Sequence, residues 1–229
     1  MPILLNTNAS KHKLLTSKIR QMRKILLSWY YDHGRSYPWR KTDDPYKILI
    51  AEIMLRRTRA DQVLPVYDKF VKKYPDFETL SKSNEKDVNK IVYSLGLFKR
   101  NKDFRNLAEV VIERYEKSIP ENREELVKLP GIGQYVAGAF LAIAYNRKEW
   151  SVDTNVARVF SRFLGIEFKG DGRRNKKIIS AAKYYISTKN SKDTVLALID
   201  FGGLICKKIK PSHEQCPIRS DCVYYGECI

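Results

Sequence analysis

The sequence predicts an all-α protein, because its apolar residues recur at helical spacing and hardly anywhere at strand spacing. The apolar side chains between Val88 and Leu95 fall on positions i, i+3, i+4 and i+7, which share one helix face. The segments Ile19–Trp29 and Phe104–Tyr115 show the same periodicity. Alternation of apolar and polar residues is nearly absent, and Ile166–Lys169 is the only weak strand candidate.

Helix boundaries follow from capping signals and from the limits of the apolar pattern. Asp44 followed by Pro45 predicts a helix start, because Asp caps exposed amides and Pro needs no amide partner at the first helical position. The helix that begins there is expected to run through Tyr46–Thr58. The Gly-, Lys- and Arg-rich stretch Lys169–Arg174 is expected to be a loop. Further helices are expected near 62–73, 122–129, 134–145, 154–164, 174–187 and 192–202.

Composition and charge narrow the classes of function. The 229 residues include 43 Lys and Arg against 26 Asp and Glu, which gives a formal charge of +17 at pH 7. Hydrophobic residues make up 43% of the chain, a proportion typical of folded rather than disordered proteins. A positive excess of this size favours a polyanionic partner, and nucleic acid is the commonest one.

The sequence carries no signal for a membrane or for export. No apolar run approaches the roughly 20 residues that a membrane span requires, and no basic segment has an apolar strip long enough to lie on a bilayer. The segment Met1–Leu15 lacks the basic-then-apolar order of a secretory signal. We therefore expect an intracellular protein, in which disulfides are rare.

The segment Leu129–Val136, with the sequence LPGIGQYV, is the most informative motif. Gly131 and Gly133 allow backbone conformations closed to other residues and let another molecule approach the chain closely. An apolar helix follows, and its first amides together with the helix dipole form a phosphate site that needs no side chain. A packing corner would explain two glycines alone, but the full LxxLPGIGxxxA pattern on so basic a chain favours a hairpin that binds a DNA backbone.

Two segments carry a family resemblance. On LPGIGQYVAGA and on Val152–Phe160, the chain resembles the helix-hairpin-helix DNA glycosylases of the endonuclease III superfamily. The segments Tyr37–Arg40 and Asp44–Thr58 resemble the branch that mismatch-specific adenine and thymine glycosylases share. The resemblance covers nearly the whole chain, from about Ile25 to Cys228.

The resemblance implies a fold of two helical domains with DNA bound between them. A six-helix barrel domain with the hairpin is expected over residues 40–148. Residues 1–39 together with 149–229 are expected to form a second helical domain with the catalytic aspartate and an iron–sulfur cluster loop. A monomer that binds double-stranded DNA with a mismatched or damaged base is also implied.

Asp153 is the strongest candidate for a catalytic residue. Its place before a predicted helix also suits an ordinary N-cap, whereas the family match implies catalysis. Cleavage of an N-glycosidic bond makes the sugar electron-poor, and an ionised carboxylate stabilises that charge and orients or deprotonates the attacking water. The resemblance also assigns Gln134, Asn155 and Arg158 to DNA contact.

Tyr135 stands at the position that decides the type of reaction in the family. A lysine there forms a Schiff base with the sugar and allows strand cleavage, but a phenol cannot do so. The resemblance therefore implies a monofunctional glycosylase without efficient lyase activity. Shape packing of one of fourteen tyrosines is the alternative.

Glu52 is the candidate residue of the base pocket. It stands among apolar residues of the helix after Asp44, where a carboxylate needs a partner or a purpose. The resemblance implies that it hydrogen-bonds or protonates the flipped base. The alternative is a solvated helix face.

Extraction of a base costs a few kcal/mol, and a side chain has to fill the gap. By resemblance, Arg56 and Arg57 lie where the family inserts a side chain into the stack, and Leu97 is the candidate apolar wedge. Ordinary surface charge would explain the two arginines almost as well.

All four cysteines lie near the end of the sequence, which suggests a metal or an iron–sulfur cluster in a reducing compartment. The family carries a [4Fe–4S] cluster on C-x6-C-x2-C-x5-C, and here Cys206, Cys216 and Cys222 keep that spacing with His213 in the second position. Either His213 or Cys228 completes the ligand set. Zinc held by three cysteines and a histidine is the alternative cofactor.

These observations together predict a base excision repair glycosylase that removes thymine or uracil mispaired with guanine. An adenine glycosylase acting on adenine opposite 8-oxoguanine or guanine is the alternative within the class. Against it stand Tyr135 and the pair Arg56-Arg57, where adenine glycosylases usually have serine and glutamines. A non-catalytic hairpin protein that only binds DNA is the alternative from another class, although it would need neither Asp153 nor Glu52.

Overall fold

The computed structural model describes residues 9–96 and 101–228. Within these ranges the regular structure is entirely helical and contains no strand, which confirms the all-α prediction. No helix in them has both the length and the apolar composition needed to cross a bilayer. The α-helices are α1 (Ala9–His33), α2 (Pro38–Lys41), α3 (Pro45–Met54), α4 (Ala60–Lys73), α5 (Phe77–Ser81), α6 (Glu85–Val92), α7 (Asn101–Tyr115), α8 (Arg123–Leu126), α9 (Gln134–Tyr145), α10 (Thr154–Leu164), α11 (Lys176–Tyr185), α12 (Ser191–Leu204) and α13 (Val223–Gly226).

The chain divides into two compact units. One is formed by Ser36–Tyr145, and the other by the described residues of Met1–Arg35 and Asn146–Ile229. The first unit therefore holds α2 to α9, and the second holds α1 and α10 to α13. The domain limits expected from the resemblance, and the six-helix barrel, stay predictions.

The core of the first unit is built around α3 and α9, which pack against each other. Both helices are apolar nearly all round, as expected for helices surrounded by protein. Every residue from Ile48 to Met54 is buried, and so is every residue from Val136 to Ile143. Glu52 and the second helix of the hairpin therefore belong to the packed core of this unit.

The core of the second unit lies between α1, α10, α11 and α12. Met22 and Leu26 of α1 meet Phe160 of α10 and Phe201 of α12 in one buried cluster. The fully buried carboxylate of Asp200 beside this core is neutralised by Arg35, whose Nε and Nη2 atoms donate at 2.8 and 2.6 Å. Such a pairing offsets part of the cost of burying a charge, and loss of Arg35 would leave that charge uncompensated.

Two local predictions were wrong. The helix after Asp44 ends at Met54 rather than Thr58, because Arg57 adopts a left-handed backbone with φ of 63° that no α-helix continues through. Ile166–Lys169 is irregular, since the part of the chain that the structure describes offers no other strand to pair with it. The predicted start at Asp44 is confirmed, with its carboxylate accepting from the amides of Tyr46 and Lys47.

Candidate active site

The hairpin between α8 and α9 is shaped by its two glycines in different ways. Gly131 has φ of 77°, and a Cβ added there would lie 3.1 Å from the Cβ of Asp103. Gly133 lies directly before α9, and its carbonyl accepts from the amide of Ala137. A Cβ at Gly133 would meet nothing within 4 Å. Gly131 thus serves the turn itself, whereas Gly133 leaves open space beside the start of α9.

Side chains from neighbouring segments brace this turn. Arg56 donates through Nη1 to the carbonyl of Gly131, and Arg123 donates to the backbone carbonyl of Gln134 at 2.7 Å. Arg57, by contrast, is exposed in its left-handed conformation. The adjacent arginines therefore differ, since Arg56 supports the hairpin and Arg57 faces solvent.

Glu52 and Tyr135 lie on the two packed helices of the first unit. Glu52 of α3 is only 4% exposed, so the alternative of a solvated helix face was wrong. A carboxylate among apolar neighbours is costly unless it is compensated or used in function. Tyr135 is half-buried in the first turn of α9.

Asp153 is held rigidly at the start of α10. Its Oδ1 atom accepts from the amide of Val156 at 2.7 Å, the contact of an N-cap. Its Oδ2 atom accepts from the side-chain nitrogen of Asn155 at 3.1 Å. Both carboxylate oxygens are thus oriented by neighbours within three residues, and the carboxylate is half-buried.

Burial raises the pKa of the Asp153 carboxyl above its ordinary value. Hydrogen bonds from Val156 and Asn155 and the positive charge of Arg158 oppose that rise without cancelling it. Taking a carboxylate out of water favours its neutral form, whereas donors favour the charged form. Asp153 is therefore a more basic carboxylate than an exposed one.

Arg158, one turn further along α10, connects this segment to the end of α12. Its Nη2 atom donates to Asn155 Oδ1 at 2.9 Å and to the carbonyl of Gly202 at 2.8 Å, and its Nε atom donates to the carbonyl of Cys206 at 2.9 Å. The guanidinium thereby fixes the amide that orients Asp153. Its assignment to DNA contact stays a prediction.

Three of the cysteines and His213 line one cavity, which we call the cysteine cavity. Its wall includes Cys206, His213, Cys216 and Cys222, while Cys228 is not on it. The three lining cysteines are half-buried against the core of the second unit, and Cys228 is exposed. No three His, Cys, Asp or Glu side chains in the described ranges come close enough together to hold a single metal ion.

The cavity also sets the electrostatics of its thiols. Burial raises the pKa of Cys216 to about 11, with the nearby Cys222 and Cys206 adding to the rise and the Ile218 amide opposing it. Arg162 places a positive charge there, since its Nη1 atom lies 3.6 Å from Cys206 Sγ. Burial also raises the pKa of Cys222, so Cys216 and Cys222 keep their protons unless a cation takes the place of those protons.

Comparison with known proteins identifies the family. The model of the HhH-GPD superfamily, whose members are base excision DNA repair proteins, matches residues 50–183, more than half of the chain. That stretch contains both the hairpin and Asp153. The chain belongs to the HhH-GPD superfamily. The resemblance predicted from the sequence is therefore confirmed.

Individual members of the HhH-GPD superfamily align along most of the chain. A thymine/uracil-DNA glycosylase of Methanothermobacter thermautotrophicus is 38% identical over 205 residues, which are 89% of this chain and 92% of that protein. A thymine-DNA glycosylase of Aeropyrum pernix is 33% identical over 214 residues, 91% of this chain and 96% of its own length. The structure of a thermostable thymine-DNA glycosylase matches with a TM-score of 0.86 and 35% identity, covering 93% of this chain and 98% of that one.

Sequence reasoning on this HhH-GPD chain missed several residues that the structure places in or beside the predicted sites. Arg162 and Tyr224 flank the cysteine cavity, with the guanidinium 4.5 Å from the ring centre, and Arg123 braces the hairpin. The signal that could have found Arg162 is its spacing, because it lies four residues after Arg158 and so on the same face of α10. Leu97, the predicted wedge, lies outside the described residues.

Proposed function

We propose that the chain is a monofunctional DNA glycosylase of base excision repair that removes thymine or uracil mispaired with guanine. The observation that carries the proposal is the Asp153 carboxylate, oriented through both oxygens and shifted toward a higher pKa at the start of α10. Two relatives that align along about nine-tenths of the chain are named thymine/uracil-DNA glycosylase and thymine-DNA glycosylase, which supports this choice of base.

In the proposed reaction the bond between the sugar and the flipped base breaks, and its electron pair leaves with the base. Positive charge develops on the sugar, and the ionised Asp153 carboxylate stabilises it. Water then adds to the same carbon, with Asp153 orienting it or accepting its proton, which leaves an abasic site. Glu52, buried on α3, hydrogen-bonds or protonates the departing base.

Tyr135 limits the reaction to hydrolysis. A phenol has no amine to condense with the opened sugar, so no Schiff base and no β-elimination follow at this position. Borohydride treatment during turnover should trap no covalent complex with the wild type. A trapped complex in good yield would overturn the monofunctional assignment while leaving base release intact.

We assign the DNA backbone contact to the hairpin. The open space at Gly133 supports this assignment, because a phosphate can approach the amides at the start of α9 without meeting a side chain. Gln134, next to Gly133, and the exposed Arg57 are the proposed side-chain contacts, while Arg56 supports the turn. Asn155, Arg158 and Leu97 stay proposed DNA contacts from the family match.

The cysteine cavity fits an iron–sulfur cluster. Three half-buried thiols on one wall are the donors that such clusters take. When bound, the cluster ties the C-terminal residues to α10 and α12, which is a structural role. The loop that follows Cys206 carries the exposed Lys207, Lys208 and Lys210, whose charges are available to phosphates.

A panel of duplexes tests the function under single-turnover conditions. Base release is expected from G·T and G·U duplexes and not from fully paired DNA, and Asp153→Asn should slow it by about 10²- to 10⁴-fold. Release confined to an A·8-oxoguanine duplex would instead support an adenine glycosylase. Binding to every duplex without release from any would support a non-catalytic DNA-binding protein.

A further inference from the structure

The cysteine cavity presents two chemical kinds of donor, three thiols and one imidazole. We propose that His213 is the fourth protein ligand of the cluster, so that this chain holds a mixed cluster of three cysteines and one histidine. Cys228 is then a thiol without a role in the cluster. This inference rests on the cofactor part of the proposed function and on no part of the base chemistry.

The first observation concerns which potential ligands line the cysteine cavity. Cys206, His213, Cys216 and Cys222 all line the same cavity, and His213 is half-buried there. Cys228 is not on the wall, and its side chain is exposed. The residue that keeps the spacing of the motif in the sequence is therefore also the one that the fold brings to the cavity.

The second observation is how His213 is held. The amide of Ser212 donates to the carbonyl of Ile205 at 2.9 Å, and the amide of Cys216 donates to the carbonyl of His213 at 3.1 Å. Tyr225 and Tyr224 then meet the imidazole edge-on, with ring centres 5.1 and 6.1 Å away. Backbone and rings thus limit the orientations that this side chain can take.

The third point is the kind of group that these donors can hold. Three thiolates and one imidazole can hold either an iron–sulfur cluster or a single zinc ion. A cluster gives each protein ligand its own iron, whereas zinc draws four donors to one point. The iron content and the spectrum of the purified chain therefore decide between the two groups.

A histidine ligand has a measurable consequence. An imidazole is neutral where a thiolate is negative, so the mixed cluster carries one negative charge less. Replacement of thiolate by imidazole raises the reduction potential of iron–sulfur centres. The wild-type cluster should therefore be reduced at a higher potential than the cluster of a His213→Cys variant.

The test uses the purified full chain, with pulsed electron paramagnetic resonance after reduction by dithionite. The chain has three histidines, and the other two are held in or beside α1, His12 by Tyr184 and His33 by the Trp29 carbonyl. Labelling of histidine with 15N should change the nitrogen coupling of the wild-type cluster. The matched control Cys228→Ala should keep the same iron content, spectrum and coupling.

The variants separate the two candidate ligands. His213→Cys should keep the cluster, lose the nitrogen coupling and shift its potential downward, whereas His213→Ala should lose iron. A wild type without histidine coupling, or loss of the cluster in Cys228→Ala, would overturn the inference. A chain that binds no iron at all would overturn it together with the proposed cofactor, while Asp153-dependent base release is read independently on the duplex panel.

Discussion

Two helix starts in this chain, those of α9 and α10, share a geometry and differ in chemistry. Each begins with a residue whose carbonyl accepts the first helical hydrogen bond, from Ala137 at α9 and from Ala157 at α10. At α9 that residue is Gly133, which has no side chain, and at α10 it is Asp153, which caps its own helix. A positive helix end without a side-chain cap attracts an anion, whereas the same end capped by a carboxylate holds one in place.

The comparison teaches that one local structure can supply either a binding site or a reagent. The glycine leaves room for a phosphate that comes from outside, and the aspartate supplies a fixed negative charge for a developing cation. Changes at the two positions should therefore separate DNA binding from base release.

The largest effect is expected from Asp153→Asn. Asparagine caps helices as well as aspartate does, so α10 should stay intact while the charge is lost. Base release from a G·U duplex should fall by about 10²- to 10⁴-fold, the range of a positioned acid–base group, with DNA affinity unchanged. Single-turnover cleavage and equilibrium binding measure the two quantities.

The matched control is Asp44→Asn at the start of α3. Asp44 also caps its helix, accepting from the amides of Tyr46 and Lys47, but the proposed reaction gives it no part. This variant should cleave at the wild-type rate. An equal loss of cleavage in both variants would mean that replacing any capping aspartate slows the reaction, so that the charge of Asp153 has no special part in it.

The pH dependence of base release should report the shifted pKa of Asp153. The reaction needs the ionised carboxylate, and burial raises the folded pKa above its ordinary value. The rate should thus be full at neutral pH and fall about tenfold per pH unit once the pH drops below that raised pKa. Single-turnover rates across pH measure the midpoint, and a midpoint at or below about 3.9, the value for a free aspartate, would contradict the burial argument.

The raised pKa of Asp153 also affects the stability of the fold. A carboxyl group with a raised folded pKa contributes stability below its unfolded pKa and loses that contribution as the pH rises through the folded pKa. At neutral pH the charged Asp153 therefore lowers the stability of the fold. The Asp153→Asn variant should melt no lower than the wild type, which fits a site that gives up stability for function.

The two helix starts also show how far the sequence could predict this molecule. Asp44 before Pro45, Asp153 before α10 and the two hairpin glycines are local signals, since caps and turns act over a few residues. The end of α3 could not be predicted in this way, because the chain turns at the left-handed Arg57 and the neighbouring Arg56 is hydrogen-bonded to Gly131, 75 residues away. The sequence shows no such partner.

In the candidate site, too, local features could be predicted from the sequence and long-range contacts could not. The sequence identified the candidate residues of the site. The hydrogen bonds from Arg158 to carbonyls 44 and 48 residues away, however, depend on how α10 packs against the end of α12. Burial of Glu52 likewise depends on the helices that pack against α3, so the pattern along one helix did not exclude a solvent-exposed position for this residue. Long-range packing decided each of these points.

Gly133→Asp should convert the start of α9 into a copy of the start of α10. The site has open space for the side chain, and aspartate is a good cap, so the fold should keep its melting temperature. The new charge would repel phosphate, and DNA affinity should fall about tenfold, roughly 1.4 kcal/mol. Titration of labelled duplex measures the affinity.

The neutral variant Gly133→Asn has nearly the same size and capping ability, so it isolates the charge. It should lose less affinity than Gly133→Asp, and the difference between the two should shrink as salt is added. Equal affinities for the two variants at low salt would show that bulk, and not charge, excludes the duplex.

An effect of similar size, on stability instead of DNA affinity, is expected from Gly131→Ala, which tests whether the two glycines of the hairpin have separate roles. Alanine would have to adopt φ of 77° and place its Cβ 3.1 Å from that of Asp103. The left-handed backbone alone costs about 1–2 kcal/mol, so the free energy of unfolding should fall by about that amount. Thermal or denaturant unfolding measures the loss.

Gly226→Ala, at a glycine with open space around it, is the control and should unfold like the wild type. If Gly131→Ala kept full stability and only weakened DNA binding, both glycines would serve the duplex and the turn would owe its shape to Arg56 instead.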